Sequence, residues 1–216
     1  YSINNVSVIG FVAKDFNKIK SELARNNIFP LILNQIAAEN RINIVVTSSQ
    51  DEKAKNIIEA EIFAKPKTVH LAIIGHGNVG KTLIDQILES SEDIRNRKKI
   101  DLKVVAIANS KKMAFNKTGF QKDWKDEIGD SEISSNIDEL ISFSHHHQLE
   151  NVIVVDNTAS KTFVKNYPAL AENGFDLVSS NKVFNTLPIS EYRNFRHILA
   201  KKNKKYLYET NVGAGL

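Results

Sequence analysis

Three glycines, a lysine and a glycine-rich string are the residues of this 216-residue chain whose types and spacing can do chemistry. Gly75, Gly77 and Gly80 lie in GHGNVG, between the apolar run VHLAIIG and an amphipathic segment that reaches Leu88. The pattern is G-x-G-x-x-G at the junction of a strand and a helix, the signature of a turn that takes a dinucleotide. The first glycine permits the tight turn, the second lets the backbone approach a pyrophosphate, and the third lets the helix pack on its strand. The phosphates then rest at the helix N-terminus, where free N–H groups and the helix dipole favour an anion. Alone the string is a weak signal, and its surroundings must carry the reading.

In an open parallel sheet a ligand binds beyond the carboxyl ends of the strands, so the residues after each apolar run are candidates. After LKVVAIA come Asn109, Ser110, Lys111 and Lys112. A cofactor with a free ribose 2′-hydroxyl ordinarily meets an Asp or Glu there; two ammonium groups in place of an acid favour NADP over NAD. The bland alternative is that both lysines are solvated. After the run ending at Val155 come Asp156, Asn157, Thr158, Ala159 and Ser160, which either cap a helix or hold the nicotinamide end of the cofactor. After FDLV come Ser179, Ser180, Asn181 and Lys182. A lysine there either stabilises negative charge developing on a substrate carbonyl during hydride transfer or is simply exposed. In YETNVGAGL, Gly213 and Gly215 free successive carbonyls and Glu209 adds a carboxylate, which suits a hard cation as well as a plain glycine-rich turn. His145, His146 and His147 are consecutive, so on a helix they point apart and do not share an ion.

The elements that must position these residues fall into two rhythms. Val6, Val8, Gly10 and Val12 alternate as in a strand; Ile19, Leu23 and Ala24 recur at helical spacing; Phe29 to Leu33 and Ile42 to Val46 are β-like; Ala54, Ile57, Ile58 and Ile62 are helical again. That β-α-β-β-α order predicts a small ferredoxin-like sheet with two helices on one face, over residues 1–63. Pro66 marks a linker at 64–67. From 68 to 216 strands and helices alternate: strands at Val69 to Ile74, Leu102 to Ala108, Val152 to Val155, Phe175 to Val178 and Tyr206 to Tyr208. Val79, Leu83, Ile84, Ile87 and Leu88 form the inward stripe of the first helix. The polar stretch from Asn109 to Ser131, with the only Trp, shows little periodicity. The expected fold class is α/β, a Rossmann-type doubly wound parallel sheet preceded by a small α+β domain.

Composition narrows the classes. A hydrophobic content of 42% suits a packed globular core. No apolar run approaches the roughly 18 residues of a membrane span, and no signal-peptide pattern opens the chain, so a soluble cytoplasmic protein is expected, with no membrane partner. The chain has no cysteine, which removes disulfides, thiolate metal sites and cysteine nucleophiles. The net charge of +4 arises after residue 62, and the basic clusters Arg95 to Lys99 and Lys201 to Lys205 lack interleaved aromatics, so no nucleic-acid partner is expected.

The strings HLAIIGHGNVGKTL, VVAIANSKK, VVDNTAS, LVSSNK and YETNVGAGL stand in order. From about Val69 to Leu216 the chain resembles the NADP-binding part of homoserine dehydrogenase, in particular that of the bifunctional aspartokinase–homoserine dehydrogenases. Residues 1–63 are similar to one unit of the ACT regulatory region that precedes the dehydrogenase in those enzymes. The resemblance implies reversible, NAD(P)H-dependent interconversion of aspartate semialdehyde and homoserine. It implies a pyrophosphate turn of Gly75, Gly77, Asn78, Val79 and Gly80, with Asn109, Ser110 and Lys111 at the adenosine ribose. Thr158, Ala159 and Asn181 would lie near the nicotinamide, and Lys182 would match the active-site lysine. The E-x-x-V-x-A-x-L pattern puts Glu209, Val212, Ala214 and Leu216 at a site for a monovalent cation such as sodium. A small-molecule substrate, an amino-acid effector such as threonine and a homo-oligomeric state are expected with it. The family's substrate domain should follow Leu216 and the kinase should precede Tyr1, so the chain reads as an internal fragment that does not turn over alone. Aspartate-semialdehyde dehydrogenase needs a cysteine nucleophile and is disfavoured. A dinucleotide and amino-acid sensor without chemistry is the rival of a different class; it would need neither Lys182 nor the cation turn.

Overall fold

The alternation in the opening stretch builds a three-stranded antiparallel sheet of order β1-β3-β2, from β1 (Val6–Val12), β2 (Ile32–Ile36) and β3 (Arg41–Thr47). This is seen in a computed structural model that describes residues 5–13, 15–36 and 40–208. Two helices, α1 (Phe16–Arg25) and α2 (Asp51–Ile62), cover one face; Ile19, Leu23, Ala54, Ile57 and Ile58 close over Ile9, Ile42, Ile44 and Val46. Asp15 caps α1 by accepting from the Lys18 N–H at 3.0 Å. Two details differ from the sequence reading. In β1 the inward residue is Ile9, and Val8 and Val12 are exposed. The run from Phe29 contains Pro30, which cannot donate to a ladder, and the strand begins only at Ile32.

Beyond Pro66 a six-stranded sheet of order β6-β5-β4-β7-β8-β9 takes over. It is made from β4 (Lys67–Ile74), β5 (Ile100–Ala108), β6 (Met113–Phe115), β7 (Val152–Asp156), β8 (Asp176–Ser179) and β9 (Tyr206–Leu207). All neighbours are parallel except β6, which runs antiparallel to β5. The fully parallel sheet expected from sequence is thus corrected at one edge. The stretch 109–131 holds that short strand and a short helix, α4 (Trp124–Asp130), both below the length at which a hydrophobic period can be read.

Consecutive buried residues in β4 (Leu71–Ile74) and β5 (Val104–Ala108) are what a strand covered on both faces requires. Helix α3 (Asn78–Lys98) and α4 pack on one face, around Ile84, Phe120, Trp124 and Ile128. Helices α5 (Ile137–His146), α6 (Tyr167–Glu172) and α7 (Ile189–Lys202) pack on the other, around Leu140, Tyr167, Leu170, Phe195 and Leu199. Among the described residues, no helix is long and apolar enough to cross a membrane.

The order reverses between β4 and β7, because the chain leaves β4 toward β5 on one side and later returns to place β7 on the other. Such a switch point opens a crevice at the carboxyl ends of the strands. The smaller sheet's helices sit at the opposite end. Asn26 donates through Nδ2 to Asn151 Oδ1 at 3.1 Å and accepts from the Asn151 N–H at 2.7 Å. Lys204 Nζ donates to the Arg25 carbonyl at 2.6 Å, and Lys67 pairs with Glu22.

Candidate functional site

At the switch point the backbone after β4 turns through Gly75, whose φ of +89° is strained for any side chain. A Cβ there would stand 2.8 Å from Thr158 Cγ2 across the crevice. A Cβ on Gly80 would stand 1.9 Å from the Gly75 carbonyl oxygen, so the first turn of α3 lies directly against the strand it follows. A Cβ on Gly77 would meet nothing within 4 Å. The three glycines therefore have separate roles: conformation, close packing, and open space in front of the turn. No side chain caps α3, whose leading N–H groups face that space.

Asn78 and Val79 begin the helix and are exposed. Val79, which helical spacing assigns to the inward stripe, is 61% exposed. It belongs to the first turn, ahead of the point where Ile84 meets the sheet. Asn109 follows β5, and its Oδ1 accepts from the Lys111 and Lys112 N–H groups, both at 2.8 Å. With the oxygen so placed, its Nδ2 faces His76 Nε2 at 3.1 Å and donates to it. His76 lies edge-on to Trp124, whose Nε1 donates to Asp85 Oδ1 at 3.0 Å. Sequence reasoning missed His76; its position inside the glycine turn was the available signal. Ser110, Lys111 and Lys112 are all exposed, and of the two ammonium groups expected here Lys112 also donates to the Gly129 carbonyl at 2.7 Å.

The turns after β7 and β8 are locked together by a buried carboxylate. Asp156 is fully buried; its Oδ1 accepts from the Thr158 N–H at 2.8 Å. Its Oδ2 accepts from the Tyr167 hydroxyl at 2.7 Å and from Asn181 Nδ2 at 3.1 Å. Asn181 Nδ2 also reaches Ser160 O at 3.0 Å and Thr158 Oγ1 at 3.3 Å. Burial, and then the negative charge of Asp156, push the Tyr167 phenol above its ordinary range, so it stays a donor. Thr158 and Asn181, predicted as neighbours of the nicotinamide, are thus brought into contact, with Ala159 exposed beside Thr158 and Lys182 exposed beside Asn181. Tyr167 belongs to the apolar stripe that α6 packs into the core. A tyrosine in such a stripe needs a partner for its hydroxyl, and the buried Asp156 supplies one.

These residues fit a dinucleotide. Asn157 Nδ2 is buried without a hydrogen-bond partner and lies 3.5 Å from the Cβ position of Gly80. An orphaned donor and an uncapped helix end together suit an anion at the turn. Glu209, Val212, Ala214 and Leu216, the expected cation ligands, lie outside the described residues. Among the described residues no group of three or more His, Asp or Glu is placed to hold a metal ion.

Comparison with known proteins supplies the family. The model of the homoserine dehydrogenase NAD-binding domain matches residues 75–209. The bifunctional aspartokinase/homoserine dehydrogenase of Buchnera aphidicola is 32% identical over 220 residues, 98% of this chain and 27% of that protein. Its counterpart in Haemophilus influenzae is 32% identical over 222 residues, 99% of this chain and 27% of that protein. The chain thus spans about a quarter of the length of these relatives. Among solved structures, a hyperthermophilic archaeal homoserine dehydrogenase in complex with NADPH aligns with TM-score 0.53 and 23% identity, over 68% of this chain and 46% of that one. The Thermoplasma acidophilum homoserine dehydrogenase aligns with TM-score 0.52 and 22% identity, over 69% and 45%. At such identities the structures speak for the fold, while the family model and the longer relatives speak for descent. The chain belongs to the homoserine dehydrogenase family, of which it carries the NAD-binding domain.

Proposed function

We propose that the chain is the cofactor-binding part of a bifunctional aspartokinase–homoserine dehydrogenase, acting in the reversible reduction of aspartate 4-semialdehyde to homoserine in the cytoplasm. The observation that carries this is the meeting of the glycine turn and Thr158 across one switch-point crevice, with Thr158 bonded to Asn181, the residue before Lys182. When bound, the reduced dinucleotide supplies the hydride; the carbonyl carbon takes it and the carbonyl oxygen takes a proton from solvent. Lys182 places a cation where negative charge develops on that oxygen. Gly75, Gly77, Asn78, Val79 and Gly80 receive the pyrophosphate, and Asn109, Ser110 and Lys111 the adenosine ribose. Lys111, exposed beside Asn109, supplies a cation for a 2′-phosphate. NADP is the preferred cofactor. The remaining assignments rest on the family resemblance. Residues 1–63 are an ACT-like unit, its effector an amino acid such as threonine; Glu209 with the carbonyls of Val212, Ala214 and Leu216 takes a monovalent cation; and the enzyme is a homo-oligomer.

Two measurements test the reading. Calorimetry should show NADPH binding more tightly than NADH, and Lys111→Glu should weaken NADPH at least tenfold while leaving NADH within threefold. Equal affinities in the parent would remove the 2′-phosphate assignment. In the complete enzyme, Lys182→Ala should lower kcat by about a hundredfold or more, the scale of losing one oxyanion stabiliser, with little change in NADPH affinity. A fully active Lys182→Ala enzyme would refute the catalytic assignment.

A further inference from the structure

The backbone on either side of Lys182 is held by two side chains, those of Ser179 and Asn181. The Asn181 N–H donates to Ser179 Oγ at 3.0 Å, and the Val183 N–H donates to Asn181 Oδ1 at 3.0 Å. With Oδ1 taken by a backbone donor, the amide orientation of Asn181 is set, and Nδ2 points to Asp156, Thr158 and Ser160. The Asn181 side chain is thus the axle of the turn after β8, and its anchor on β7 is the Asp156 carboxylate.

Three donors converge on that carboxylate: the Thr158 N–H on one oxygen, the Tyr167 hydroxyl and Asn181 Nδ2 on the other. Because Tyr167 gives its proton to Asp156, Ser179 Oγ, 2.8 Å away, donates to Tyr167. The donor directions form one consistent chain, from Ser179 through Tyr167 to Asp156. An amide at position 156 cannot replace the carboxylate, because either of its orientations sets an NH2 against an N–H donor, that of Thr158 or that of Asn181.

We propose that Asp156 is the positioning residue of this site, holding the Thr158 and Asn181–Lys182 turns in one register so that Lys182 meets the substrate carbonyl. The proposal rests on the reading of Lys182 as the active-site lysine. Asp156 is fully buried under Tyr167 and acts through Asn181, without touching substrate.

The test uses the complete enzyme, with kcat normalised to the sites titrated by NADPH in calorimetry, so that loss of folded protein does not imitate loss of positioning. Asp156→Asn should lower kcat at least tenfold with the Kd for NADPH within threefold of the parent. The primary isotope effect from deuterated NADPH should rise, because the hydride step becomes slower. In ligand-free protein the Asn181 side-chain amide, held at Asp156, Thr158 and Ser160, should exchange with solvent faster in the variant. A normalised kcat within twofold of the parent, or an unchanged isotope effect, overturns the proposal. If Asp156→Asn does not accumulate as folded protein, Tyr167→Phe decides: a fall in kcat of threefold or more supports the anchor, and a kcat within twofold refutes it. Lys182→Ala separates the two failures. Activity in that variant removes the reading of Lys182, whereas an inactive Lys182→Ala beside an active Asp156→Asn removes the role of Asp156 alone.

Discussion

Gly77 and Gly80 belong to one motif yet answer to different constraints, and that difference is measurable. A methyl on Gly80 would have to occupy a point 1.9 Å from the Gly75 oxygen, so either α3 or the turn must move. Overpacking of that kind costs about 1–3 kcal/mol. A methyl on Gly77 meets no protein atom within 4 Å and sits at a negative φ that alanine adopts. Gly80→Ala should therefore lower both thermal stability and NADPH affinity, whereas Gly77→Ala should leave the unfolding temperature unchanged and still weaken NADPH at least tenfold. Differential scanning calorimetry and titration of the two variants check this. A Gly77→Ala protein that binds NADPH as well as the parent would show that no ligand atom comes close to the turn at this position.

At the scale of elements, β7 connects the two ends of the larger sheet. Asn151, at its amino end, has a left-handed φ of +49° and donates through Nδ2 to the Thr68 carbonyl at 2.9 Å. Its backbone N–H is satisfied by Asn26, which is itself buried at the end of α1. Five residues later the strand ends in Asp156. Asn26→Ala would leave the Asn151 N–H and Oδ1 without partners, at a cost of about 1–3 kcal/mol. Urea denaturation should report that loss, and hydrogen exchange should quicken at the Asn151 amide first; unchanged exchange there would mean that water replaces Asn26. The same elements mark how far sequence reaches. The long strands β4 and β5, the glycine turn, and the turns carrying Thr158 and Lys182 are legible because apolar runs and punctuating glycines report them locally. The three-residue strand β6 and the Asp156–Tyr167–Asn181 cluster are not. One is shorter than any hydrophobic period, and the other joins residues on separate elements whose meeting depends on strand order. Val79 shows the reverse error, since spacing alone cannot tell where along a helix its contact with the sheet begins.

Over the whole molecule, the two units meet at the amino ends of β4, β7 and β8, while the switch-point crevice lies at the carboxyl ends. The joint is polar and charged: Arg25 and Lys204 both approach Asp176, at 3.8 and 3.9 Å, and burial lowers the pKa of Lys204. Lys53 of α2 faces the same joint, its backbone N–H donating to Gln148 Oε1 at 3.3 Å. Burial, reinforced by the like charge of Lys204 and opposed by Glu150, lowers its pKa from 10.5 to about 8. A lysine whose folded pKa lies below its unfolded value destabilises the fold wherever both states are charged. That cost is fully present below pH 8, shrinks as pH rises from about 8 to 10.5, and is absent above, because the unfolded chain binds more protons throughout that window. Lys53→Met keeps the backbone bond and much of the side-chain volume, and should stabilise the protein by about 2 kcal/mol at pH 7. The advantage over the parent should fall toward zero by pH 10.5. Urea midpoints of parent and variant across that range measure the difference directly. A constant difference at all pH values would assign the gain to packing and remove the charge at this joint as its cause.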